Sequence, residues 1–141
     1  MLPLPHARRW RGAGFLLLVA VFILALVPMA WILPIELSLD TRFIHGDKVL
    51  HCLTFAVLTI WFAGQYSKES YWRLGAGLVV FGMLIEISQY FVSYRSSDWF
   101  DLTADVIGIV AGLVIALSGL GGWTVWVENQ LGGSRDEAGL D

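Results

Sequence analysis

Apolar residues run along this chain in four long blocks, separated by short polar segments. Residues 13–33 form an almost unbroken apolar stretch, close to the roughly 20 residues a helix needs to cross ~30 Å of hydrocarbon. Residues 49–66, 74–92 and 102–120 are less purely apolar but long enough to span. The pattern predicts four membrane helices over those ranges. The first block follows Arg8, Arg9 and Arg11, as a signal peptide would. It is long for the apolar core of one, however, and Pro28-Met29-Ala30 is a poor small-x-small cleavage site, so it reads as a retained helix. Pro28 and Pro34 fall near its far end, where a kink or a stop is tolerated.

Composition agrees. Hydrophobic residues make up 57% of the chain, charged residues only 15%, and the mean hydropathy is +0.68. An ordinary globular domain is nearer half apolar and a quarter charged. The chain therefore reads as one all-α membrane domain, a four-transmembrane-helix bundle over residues 13–122. Residues 1–12 precede it, and residues 123–141 form a tail predicted to be disordered from Glu128 onward, because glycine and mixed charge replace the apolar pattern. The net charge is −3 and no basic patch tracks a phosphate backbone, so nucleic acid is excluded as a partner. Cys52 is the single cysteine, so no internal disulfide can form.

Orientation follows from lysine and arginine. With the N-terminus inside, the inner side receives Arg8, Arg9, Arg11, Lys68, Arg73 and Arg135, and the outer side receives Arg42, Lys48 and Arg95. Six against three predicts N-in and C-in. Trp10, Trp72, Trp123 and Trp126 then fall near inner ends, Trp31 and Trp99 near outer ends, and Trp61 deeper.

This topology gives the polar residues inside the apolar blocks a common address. Helix two opens with Asp47, Lys48 and His51; helix three closes with Glu86, Gln89 and Arg95; helix four opens with Asp98, Asp101 and Asp105. Asp47 and His51 are four apart, Glu86 and Gln89 three apart, and Asp98, Asp101 and Asp105 fall at i, i+3 and i+7, so each set shares a helical face. Gly108 and Gly112 continue the stripe of helix four and permit close approach of another helix, within the chain or in an oligomer. Five carboxylates face two cations, a balance suited to cation binding or shared protons. His51, Glu86, Asp101 and Asp105 are the candidate catalytic groups, and Asp47, Lys48, Gln89, Arg95 and Asp98 the candidate substrate contacts. Plainer roles compete: Asp47 and Asp98 as N-caps with Asp101 at N3, Lys48 and Arg95 as snorkelling boundary residues, His51 as an interhelical hydrogen-bond partner. Glu86 and Asp105 lie deepest, where an isolated charge costs ~2.5–3.5 kcal/mol. No HExxH-like or cysteine-pair spacing is present, and neither a metal nor a cofactor is read from the sequence. Ser93, Ser96 and Ser97 lack a nucleophile-elbow motif.

At these residues the chain resembles the VanZ-like family. The resemblance rests on Asp47-Lys48-Val-Leu-His51, on Glu86-Ile-Ser-Gln89, and on Arg95-Ser-Ser-Asp98-Trp-Phe-Asp101 leading to Asp105-Val-Ile-Gly108 and Gly112. Many members carry asparagine at the position of Asp105, so this chain has an additional ionisable group. The resemblance implies a small multi-pass protein of the bacterial cytoplasmic (inner) membrane and cell envelope, in a family linked to resistance to the antibiotic teicoplanin, a lipoglycopeptide. It implies no settled reaction. Two functions follow as expectations. One is a protein that binds or acts on an amphipathic lipid or lipid-linked envelope component at the outer leaflet, through an acidic pocket. The other is a non-enzymatic, envelope-modulating or partner-binding protein whose acidic cluster is structural. Membrane lipids are expected partners of either.

Overall fold

In a computed structural model the described residues of the chain are all-α. The structure describes residue 2 and residues 6–27, 42–92 and 99–137, without the side chains of 42–45 and 131–137. Among the described residues five α-helices follow in order: α1 (Ala7–Leu26), α2 (Arg42–Ala63), α3 (Tyr71–Tyr90), α4 (Trp99–Ile115) and α5 (Trp123–Glu137). A 3-10 turn (Lys68–Ser70) leads into α3, and a widened π turn (Ala116–Leu120) continues α4. Among the described residues four helices are long and apolar enough to cross a membrane, as the hydropathy blocks predict.

Helix bounds differ from the apolar blocks for identifiable reasons. The first helix ends at Leu26, well before residue 33, and Val27 is extended at φ −72°, ψ 135°. Val27 precedes Pro28, and a residue before proline is pushed out of the helical region by the pyrrolidine ring. At their other ends, α1 and α2 begin several residues before the apolar blocks, because helical hydrogen bonding does not stop where hydrocarbon does. The expectation that Asp47 caps the second helix is thereby corrected: α2 already begins at Arg42, so Asp47 lies in its second turn. Asp101 does sit in the first turn of α4.

Beyond α4 the described residues form one more helix. α5 runs from Trp123 to Glu137 as helix. The chain breaks out of the π turn at Gly119 (φ 150°) and again at Gly122 (φ 78°), conformations open to glycine. That reversal lays α5 on the end of α2, where Trp123 Nε1 donates to Ile60 O and Thr124 Oγ1 donates to Gly64 O. Leu2 N donates to Gln65 O at the same place. Trp10, Trp61 and Trp123 pack there in tilted and edge-on contacts with centroids 5.4–5.7 Å apart, so Trp61 belongs to this end rather than to the interior. Glu128 accepts from Trp10 Nε1 (2.9 Å) and His6 N (3.1 Å) and ties α5 to α1.

Exposed aromatics mark both ends of the apolar slab. Tyr90, Phe91, Trp99 and Phe100 ring one end, Trp72 and Trp126 the other. Trp72 to Tyr90 on α3 is about 27 Å of helix rise, matching the hydrocarbon thickness. Between the belts, Phe55, Leu58, Leu78, Ile85 and Ile109 form the core.

Candidate functional site

α2 and α4 are the closest pair, and glycine is the reason. A Cβ on Gly108 would overlap the Cys52 carbonyl oxygen and meet Ala56 N at 3.1 Å; one on Gly112 would meet Ala56 O at 2.8 Å. The close approach expected of these glycines is thus made inside the chain. Both glycines are buried against α2.

This contact sets one turn of α2 against one turn of α4 just beyond the glycines. Lys48 Nζ donates to Asp101 Oδ1 at 2.9 Å and lies 5.7 Å from the Phe100 ring centroid. One helical turn deeper, His51 Nδ1 lies 2.9 Å from Asp105 Oδ1. With Asp105 ionised the carboxylate only accepts, so Nδ1 then carries the proton of that bond and Nε2 is left as the nitrogen for a ligand or a proton. Asp105 is fully buried, 0% exposed, about 9 Å of helix rise from the Trp99 belt. Its second oxygen has no hydrogen-bond partner among the described residues and faces α3 at Gly82, whose Cβ would stand 2.7 Å from it. Glu86, also buried, is one turn along α3 from Gly82.

Of the nine residues read from the sequence, the structure brings Asp47, Lys48, His51, Asp101 and Asp105 to the α2–α4 face, with Glu86 and Gln89 buried on α3. Arg95 and Asp98 lie outside the described residues. Gln89 has a more specific task than the sequence discloses: its Nε2 donates to Ala25 O at 2.9 Å and satisfies a carbonyl at the C-terminal end of α1. Gly82 was not singled out by sequence, although it lies four residues before Glu86 on the same face. Asp47, His51 and Asp101 also bring three potential ligand atoms within 4.8 Å of one another. No sequence spacing could announce that set, because it is drawn from two helices.

Residues 6–120 match the family model described as VanZ/LLP1. The chain belongs to the VanZ/LLP1 family. No curated protein and no solved structure matches it. The VanZ/LLP1 match covers the four spanning helices and every described residue of the polar site, and it ends where α4's π turn ends, before α5.

Proposed function

We propose that this VanZ/LLP1 protein resides in the bacterial cytoplasmic membrane with both termini inside, and binds the polar head of an amphipathic, lipid-linked envelope component at the outer leaflet. Lys48 meets the anionic part of the head. The His51–Asp105 pair serves as a positioned acid–base group. The observation that carries this reading is the stacking of Lys48–Asp101 and His51–Asp105 on consecutive turns of one helix pair, both at 2.9 Å. A carboxylate that fixes the tautomer of a histidine is a recurrent way to hold a proton-transferring nitrogen in place. The depth supports a headgroup site, since the cluster lies within about two turns of an aromatic belt. Altered handling of such a component is a route by which the protein would change sensitivity to a lipoglycopeptide.

The test is native mass spectrometry of the full chain in nanodiscs supplied with a polyprenyl-diphosphate-linked saccharide. Wild type retains the saccharide lipid, and Lys48→Met with His51→Gln lowers retention about tenfold, equivalent to ~1.4 kcal/mol. Equal retention by wild type and double variant overturns the reading and leaves the cluster a structural lock between helices. Orientation has its own check: Ser67→Cys reacts with an impermeant thiol reagent only once the inner side is opened.

A divalent cation at the same place is a second reading, favoured by the Asp47–His51–Asp101 set. Asp105 would then orient His51 from behind, as carboxylates do for metal-bound histidines. Elemental analysis of the purified protein before and after His51→Gln separates the two.

A further inference from the structure

The polar site occupies one end of the bundle, and a cavity of about 470 Å³ opens toward the other. It lies in the seam between α1 and the α2–α3 pair, where Gly14 is the one fully buried residue of α1. The body of the groove is apolar: Leu18 from α1, Phe62 from α2, Leu78 and Phe81 from α3. Its end is polar, formed by Tyr66 and Ser70 on the connection and by Arg73 in the first turn of α3. At about 30 Å³ for a group the size of water, the volume accommodates roughly 15 such groups, on the scale of one acyl chain.

Charge complementarity selects the occupant. Among the described residues no carboxylate pairs with Arg73; its guanidinium lies over the Trp72 ring at 5.1 Å, exposed at the belt. Arg8, Arg9 and Arg11 on α1 and Lys68 on the connection are exposed at the same end, against the exposed carboxylate of Glu69. An apolar slot closed by an arginine fork, a hydroxyl and a phenol fits a single-charged phosphodiester with hydrocarbon attached.

We propose that this groove is a binding site for one anionic glycerophospholipid of the adjacent leaflet. One acyl chain lies along the α1–α3 seam; the phosphate meets Arg73, with Ser70 and Tyr66 as donors. The site is separate from the polar cluster, since Arg73 and Glu86 are about 20 Å apart along α3, and it stands whether or not the proposed function does.

Gly77 provides the decisive variant, because it lines the groove and a Cβ there meets nothing within 4 Å. Full-length protein is reconstituted in vesicles of phosphatidylcholine carrying spin-labelled phosphatidylglycerol or spin-labelled phosphatidylcholine. Wild type immobilises the phosphatidylglycerol probe about fivefold more strongly, the preference expected of one cation at an anionic headgroup. Arg73→Gln brings the ratio to about one while total immobilised lipid stays constant. Gly77→Leu fills the slot and expels one immobilised lipid of either kind, with helicity and thermal unfolding matching Gly77→Ala. No preference in wild type, or a preference that survives Arg73→Gln, overturns the proposal. So does a Gly77→Leu variant that keeps its lipid and changes oligomeric state, which would assign the groove to a second copy of the chain.

Discussion

Gly108→Ala tests the contact on which the polar site depends. The added methyl would overlap the Cys52 carbonyl oxygen and stand 2.9 Å from the Cys52 carbonyl carbon and 3.1 Å from Ala56 N. Ordinary carbon contacts lie at about 3.5–4.0 Å, so α2 and α4 would have to part by on the order of 1 Å. All three atoms are backbone, and no side-chain rotation relieves them. His51 immediately precedes Cys52, and Asp105 lies one turn before Gly108, so the same displacement lengthens the His51–Asp105 contact from 2.9 Å. At roughly 3.9 Å that contact is no longer a hydrogen bond. Overpacking costs about 1–3 kcal/mol and the lost hydrogen bond about 1, while alanine's better helix propensity returns about 0.5–1. The net is about 2 kcal/mol, or roughly thirtyfold in the unfolding equilibrium. Reversible denaturation in mixed micelles, with Gly77→Ala as the control for propensity alone, measures it. If Gly108→Ala unfolds at the same midpoint as Gly77→Ala, the helices are not held at glycine distance and the reasoning fails.

Three further outcomes follow from the same geometry. Asp105→Asn keeps an acceptor for His51 and costs under about 1 kcal/mol, whereas Asp105→Ala strands a buried donor and costs ~1–3; the same denaturation assay reads the order, which must not invert. Lys48→Met removes the cation paired to Asp101 and destabilises by about 1–3 kcal/mol, below the 3–5 of a fully buried pair because Lys48 is 31% exposed. Adding Asp101→Leu recovers most of that loss, and a double-mutant cycle with no coupling refutes the pairing. Glu128→Ala frees α5 from Trp10 and His6, and trypsin cleavage after Arg135 accelerates about fivefold, as a loss of ~1 kcal/mol in docking implies; an unchanged rate means α5 is not held by Glu128.

Much of this protein was legible in one dimension, because a bilayer makes hydropathy a direct constraint on structure. Any apolar block near 20 residues must close its own backbone hydrogen bonds as a helix, and so four spans could be counted without knowing how they pack. The spacing of Asp47 with His51, Glu86 with Gln89, and Asp101 with Asp105 likewise disclosed which faces turn inward, since helical periodicity is local. The pairing of those faces is not local. That Lys48 meets Asp101 while His51 meets Asp105 depends on the offset between α2 and α4, which Gly108 and Gly112 set by backbone contact across more than fifty residues of chain. The polar bond of Gln89 to the end of α1, the docking of α5 onto the end of α2, and the open groove beside Gly77 are of the same kind. A helix is decided by its own residues and its solvent; a site between helices is decided by where their surfaces can touch, and only tertiary packing states that distance.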